Sequence, residues 1–400
     1  MSLSFKTAVG NVVEGALTYP FVKLAQLKFT LQATKDCPDL AAAQEQAVTE
    51  LFELIKKHDM APFYEAICAS GLWPKPLDAT LLAQLKESNT AALARFDAEL
   101  ETAKESAGPS EVQAANQKIA EYKAFIGAPD AAAALETVLE STVGAGPRLD
   151  NVLLLARFAF SLADNALIGK YIDRAKKLID AGGDWDRRNR LKVYEGTYLM
   201  SIRDFTRASE LFLSALPTFT STELLQYDTF ISYSILMCLF TLDREMLKSK
   251  ILDSPEVLEV AIKVAPFLNL AESFYNCEYR AFFTHLAEVE ALLKKDLFLF
   301  PHYKYYVREM RIRAYAQYLE PYKSVKLQSM ADTFGVSPTF IDEELSRFIS
   351  AGRIHCAIDA VSATIATRRP DNRNSHYRSI VQEGDLLLNR IQKLARVTDL

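Results

Sequence analysis

The chain has 400 residues, half of them hydrophobic and 24% charged, with a net charge of −5. That is enough for two or three domains with a large core, and the excess of acid gives no global pull toward nucleic acid. Only 14 glycines and 15 prolines are present, which favours long helices over a turn-rich β fold.

From residue 19 to 144 the pattern is helical. Leu24, Leu27, Lys28 and Leu31 mark one face, and Val48, Leu51, Phe52 and Ile55 mark another. Pro62 opens a third helix, where its missing N–H is harmless. Residues 80–107 predict one long, exposed helix that Gly108, Pro109 and Ser110 stop, and Ala131 to Ala134 lie in a further helix. The N-terminal apolar stretch from Val9 to Val22 is interrupted by Glu14 and lacks the form of a signal peptide.

From Pro147 to about Tyr322 the sequence repeats. Ile172, Ala175 and Ile179 recur as Phe205, Ala208 and Phe212, an offset of 33 residues. This is close to the period of tetratricopeptide-like helix pairs, and the second copy also carries Gly196 and Ala215. Such pairs bury their faces only by stacking into a curved array. Between the copies, Gly182 and Gly183 can end one helix and Asp184 can cap the next. Arg187, Arg188 and Arg190 then form a charge cluster, read either as a solvated face or as a salt-bridged subunit contact. Residues 230–242 are apolar but too short to cross a membrane, and predict a buried helix. Residues 301–322 carry a helical stripe of Tyr303, Val307, Met310, Ala314 and Tyr318, taken as core.

The period then changes. Residues 326–352 read as two short helices around a turn at Gly335, with Ser337 and Pro338 starting the second and Gly352 closing it. Residues 353–359 alternate apolar and polar and predict a half-buried strand, and residues 364–368 predict its return. Two helices followed by a β-wing form a winged helix. Its second helix carries Asp342, Glu343 and Glu344 against Arg347, a poor surface for phosphates. Arg368, Arg369, Arg373 and Arg378 leave a lesser option of contact through the wing. The wing strands offer an edge to a second such module. A final amphipathic helix carries Ile380, Leu387, Ile391 and Leu394 at steps of 7, 4 and 3. It can fold back on its own domain or enter a bundle with partner helices.

Motifs for chemistry are absent: there is no HExxH, CxxC, GxSxG or P-loop, and the five histidines show no metal spacing. His355 and Cys356 point to opposite strand faces and cannot form a dyad. Cys37, Cys68, Cys238, Cys277 and Cys356 read as reduced, buried thiols. No catalytic, cofactor-binding or metal-binding residue is assigned.

Several long stretches resemble the PCI-domain family of proteasome regulatory-particle lid subunits, the family of non-ATPase subunit seven. They include LAQLKF (24–29), MAPFYEAIC (60–68), GGDWDRRNRLKVYEG (182–196), HYKYYVREMRI (302–312), ELSRFISAGRIHC (344–356) and GDLLLNRIQKLARV (384–397). The first twenty residues and the Ala-rich linkers around 130–145 add nothing to the likeness. The expected fold is mainly α: a TPR-like helical-repeat array forming a right-handed superhelix, then a winged-helix subdomain, then a C-terminal helix. The expected divisions fall at residues 1–145, 146–322, 323–370 and 371–400, with the PCI domain over about 200–370.

The resemblance implies a non-enzymatic scaffold in a hetero-oligomer of the cytoplasm and nucleus. Its implied partners are the other PCI subunits of the lid, the lid deubiquitinase subunit and the ATPase ring, with no cofactor, no membrane and no nucleic acid. The implied partner-binding residues are Arg353, Ile354, His355, Cys356 and Ile358 on the winged-helix edge, and Ile380, Leu387, Ile391 and Leu394 on the C-terminal helix. The alternatives are a PCI subunit of the signalosome and a nucleic-acid-contacting PCI module of a translation initiation complex.

Overall fold

The computed structural model describes residues 21–36, 41–74, 78–106, 108–180, 182, 184–368 and 373–398. Cys37, Gly183, Arg369 and the first twenty residues, all weighed above, lie outside them. The described chain forms two compact units. One holds the residues through Tyr275 together with His285–Tyr306, and the other holds Asn276–Thr284 and Val307–Leu400.

The first unit begins with α1 (Phe21–Asp36), α2 (Ala41–Lys57) and α3 (Ala61–Ala69). Pro62 sits in the first turn of α3, as its chemistry requires. The long α4 (Ala79–Ser106) pairs with α5 (Pro109–Ile126), and Gly108 is the N-cap between them. Then come α6 (Ala131–Ser141), α7 (Ala145–Leu162), α8 (Asn165–Asp180), α9 (Trp185–Ser201) and α10 (Phe205–Ala215). Helices α7 and α8 pack as one pair and α9 and α10 as the next.

The repeat positions are the contact positions. Ile172, Ala175 and Ile179 on α8, and Phe205, Ala208 and Phe212 on α10, are all buried. Gly196 shows why the second pair crosses so closely. A Cβ on it would stand 2.5 Å from Cε1 of Phe212, so only glycine admits that ring. Phe212 is completely buried and meets Phe230 edge-on at 5.5 Å.

The unit continues through α11 (Tyr227–Thr241), α12 (Arg244–Leu247), α13 (Pro255–Glu259) and α14 (Ala265–Tyr275). Helix α11 is the buried helix expected for the apolar run. The next two helices, α15 (Tyr279–Leu293) and α16 (Tyr303–Leu319), contribute residues to both units. Within the first unit, the Gln26 side chain ties α1 to the segment after α15. Its Nε2 donates to the carbonyl of Lys295 and its Oε1 accepts from the backbone of Leu297 at 2.9 Å.

Two arginines of the cluster are salt-bridged within their own chain. Arg187 forks onto Asp150 with bonds of 3.0 and 2.7 Å. Arg190 reaches Asp150 at 3.2 Å and Glu223 at 3.1 Å, and Glu223 also accepts from Tyr194 at 2.8 Å. The cluster is therefore an intrachain network between α7, α9 and the loop before α11. Only Arg188 remains exposed. Asp184 caps α9, accepting from Trp185 at 2.8 Å. Of the stripe expected on α16, Val307, Met310 and Ala314 are buried and Tyr303 and Tyr318 are half-buried, while Tyr306 and Tyr315 beside it are almost fully buried.

The second unit contains β1 (Ser324–Lys326), α17 (Leu327–Phe334), α18 (Pro338–Ser350), β2 (Cys356–Asp359), β3 (Thr364–Thr367) and α19 (Arg373–Thr398). The sheet is antiparallel with order β1-β3-β2. Strand β1 was not foreseen. Strand β2 is shorter than residues 353–359, since the chain from Arg353 to His355 is still turning out of α18.

Candidate protein-interaction site

The winged helix is built by local signals that agree with one another. Gly335 adopts φ of 70° at the end of α17, a left-handed cap that suits glycine. Ser337 caps α18, its hydroxyl accepting from the N–H of Phe340 at 3.3 Å, and Pro338 follows at the first turn. Met330, Ala331 and Phe334 of α17 and Ile341, Leu345 and Phe348 of α18 close the core. The Phe334 ring lies among Tyr279, Tyr315, Phe283 and Tyr318 at centroid distances of 4.8, 5.0, 5.3 and 5.5 Å.

Two buried carboxylates anchor this module. Glu309 accepts from Arg308 at 3.3 Å and from the guanidinium of Arg353. Glu344 accepts from Arg311 and from the Tyr315 hydroxyl, both at 2.9 Å. Burial, reinforced by Glu344, drives the Tyr315 phenol far above its ordinary range. Glu344 therefore does not belong to the outward face of α18. That face keeps Asp342 and Glu343 against Arg347, and is less acidic than the sequence suggested but still not basic.

The wing presents a strand edge. Hydrogen bonds in an antiparallel ladder alternate in direction. Arg368 donates to the carbonyl of His355 at 2.9 Å, so the pairs 355/368, 357/366 and 359/364 are the bonded ones. The backbone N–H and C=O of Cys356 and Ile358 consequently point away from β3. Of the side chains expected on this edge, Ile354 and Cys356 are buried and Ile358 is half-buried. Burial pushes the Cys356 thiol up, away from reactivity. Arg353 is committed to Glu309, and His355 is exposed.

The second surface is α19. Every described side chain from Arg373 to Thr398 is exposed. Ile380, Leu387, Ile391 and Leu394, the four positions expected to meet partners, are 57 to 64% exposed. Tyr377, Val381, Leu386, Leu388 and Val397 join them, so the apolar face is wider than those four residues alone. Exposed apolar area of this extent on one helix makes α19 a candidate interaction surface.

Chemistry finds less support. Cys68 and Cys277 are half-buried rather than buried, and Cys277 Sγ accepts from Gln317 at 3.1 Å. No group of three or more His, Cys, Asp or Glu among the described residues could hold a metal ion. A cavity of about 230 Å³ in the first unit is lined by α11, by Phe267 and by Asp296. The Asp296 carboxylate is taken up structurally, accepting from Tyr233 at 2.5 Å and from the backbone of Phe298 and Leu299. No described helix is long and apolar enough to cross a membrane.

A helical repeat running into a winged helix is the architecture of PCI-domain proteins, and the PCI domain model matches residues 286–369. The 26S proteasome subunit RPN7 model matches residues 78–250, and a model of the RPN7/PSMD6 C-terminal helix matches residues 376–397. The chain is 45% identical to the 26S proteasome non-ATPase regulatory subunit 6 homolog of Arabidopsis thaliana, over 95% of this chain and 97% of that protein. It is 33% identical to the 26S proteasome regulatory subunit RPN7 of Saccharomyces cerevisiae, over 92% and 90% of the two chains. The COP9 signalosome complex subunit 1 of Arabidopsis thaliana is 26% identical, over only 49% of this chain and 45% of that one. The chain belongs to the family of the 26S proteasome non-ATPase regulatory subunit 6, also named Rpn7.

Proposed function

We propose that the chain is a non-catalytic structural subunit of the proteasome regulatory-particle lid, supporting lid assembly and through it the ATP-dependent degradation of ubiquitinated proteins. The observation that carries this reading is α19, a 26-residue helix whose described side chains are all exposed and whose apolar face has no complement among the described residues. The outward backbone groups of Cys356 and Ile358 supply a second, smaller surface, suited to strand addition by a neighbouring module.

The partners proposed are the other PCI subunits of the lid, its deubiquitinase subunit and the ATPase ring. Thiols at Cys68, Cys238 and Cys356 support a reducing compartment, the cytoplasm and nucleus. The outward face of α18, with Asp342 and Glu343 against Arg347, supports a protein partner over a phosphate backbone. The coverage of the relatives favours the proteasome over the signalosome.

The test removes residues 380–400 and follows incorporation of the chain into the regulatory particle on native gels. The truncated chain is expected to keep its helical circular dichroism, less the tail, and to be lost from the particle. Undiminished incorporation would sink the reading.

A further inference from the structure

The cavity between α11, α14 and the end of α15 holds an acid with acceptor capacity to spare. Every residue lining it belongs to the first unit. Leu236, Leu293, Leu299 and Phe267 make most of the wall apolar. The volume is about 230 Å³, and an apolar cavity of about 150 Å³ already admits a benzene molecule. One aromatic ring with a short polar extension therefore fits. The cavity is open on one side, and the exposed Leu292 stands in its lining.

Two acids line the cavity, and their surroundings differ. Asp228 is paired with Lys263 at 2.8 Å. Asp296 has no cationic side chain as a partner among the described residues. It accepts instead from the Tyr233 hydroxyl and from the backbone N–H groups of Phe298 and Leu299. A carboxylate offers about four acceptor positions, so one remains. Tyr233 gives its only proton to Asp296, and its oxygen can also still accept. Both free positions call for a donor. Burial drives the Asp296 carboxyl up from its ordinary value, as expected of a charge that no nearby cation compensates.

This wall is held in place in advance. Gln26 of α1 bonds the backbone on either side of Asp296, at Lys295 and at Leu297. Asp296 in turn fixes the two residues that follow Leu297. A site formed before its ligand arrives loses little affinity to ordering. We infer that this cavity binds a small aromatic molecule carrying a primary ammonium group, with the ring among Leu236, Phe267, Leu293 and Leu299 and the ammonium against Asp296 and the Tyr233 oxygen.

Other occupants fit less well. A ligand carboxylate would set a second negative charge beside Asp296 in a poorly screened place. A purely apolar molecule would fill the volume and leave the buried acceptor unmet. The site shares no residue with α19 and needs no partner chain.

The test titrates the full chain at neutral pH with benzylamine, benzyl alcohol and benzoate, probes of similar shape that differ in charge, by ligand-observed NMR. Benzylamine is expected to bind saturably and about tenfold tighter than benzyl alcohol, because hydrogen bonds between charged groups exceed neutral ones. Benzoate is expected not to bind. Asp296→Asn keeps an acceptor for Phe298 and Leu299 and removes the charge, and should bring benzylamine level with benzyl alcohol. Ser232→Trp, at a half-buried lining position of α11, fills the cavity and should abolish binding of both. Circular dichroism and the thermal midpoint of each variant separate lost binding from lost folding. Benzyl alcohol binding as tightly as benzylamine, or a preference for benzylamine that survives Asp296→Asn, overturns the ammonium assignment. Benzylamine binding that survives Ser232→Trp overturns the location. Absence of saturable binding of every probe to the folded wild type overturns the site.

Discussion

Gly196 in α9 and Gly384 in α19 occupy comparable places in two amphipathic helices, and they have opposite surroundings. At Gly196 the Phe212 ring fills the space a side chain would take, with Cε1 2.5 Å from the position of a Cβ. At Gly384 that space is open. Each glycine costs its helix about 1 kcal/mol relative to alanine. In the array the cost is offset within the chain by a fully buried aromatic ring. In the tail nothing among the described residues offsets it. The same one-letter signal thus has two surroundings, one filled by the fold and one left open.

Four measurements can break or sharpen this contrast. Phe212→Ala should have the largest effect, lowering stability by about 3–5 kcal/mol, because it empties a fully buried site that nothing else can fill. A denaturant midpoint followed by circular dichroism reports it, and an unchanged midpoint would dissolve the comparison. Glu344→Ala comes next. It strips the acceptor from Arg311 and Tyr315 at a buried position, at a cost of about 3 kcal/mol. Faster hydrogen exchange in α17 and α18 is the readout, with Glu344→Gln milder because it keeps one acceptor.

Gly196→Ala should lower stability by about 1–3 kcal/mol through overpacking against Phe212. Adding Phe212→Leu to that chain should recover part of the loss, and a double-mutant cycle measures the coupling. The smallest effect belongs to the tail. Leu387→Asp should leave the isolated chain within about 0.5 kcal/mol of wild type while removing it from the particle. A clear loss of stability in the isolated chain would show that α19 packs on its own chain.

Much of the fold was legible because local signals and burial agreed. The recurrence of Ile172, Ala175 and Ile179 as Phe205, Ala208 and Phe212 marked the contact face of the array, and the Gly335 stop of α17 and the Ser337-Pro338 start of α18 bracketed the turn between them. What escaped was short or distant. Strand β1 has three residues, too few for any period, and exists only because β3 returns to it from 40 positions away. Glu344 looks like its neighbours Asp342 and Glu343 until Tyr315, 29 residues earlier, is placed against it. The arginines after Asp184 looked like a surface cluster because Asp150 and Glu223 lie 37 and 33 residues from Arg187 and Arg190. On α19 the signal was in view. Ile380, Leu387, Ile391 and Leu394 stand exposed on the stripe that their spacing marked.

The sheet order has a mechanical consequence. Because β3 lies between β1 and β2, the chain leaves the winged helix beside the point where it entered. Thr367 donates its N–H to the carbonyl of Lys323 at 3.0 Å and its hydroxyl to that of Tyr322 at 2.6 Å. A pull on the tail therefore reaches the residues before β1 through this one clasp, and α17 and α18 lie off the line of load. The clasp joins antiparallel strands at their common end, so under tension it opens bond by bond rather than all at once. Under tension such a joint yields first at the sheet and spares the helical module behind it.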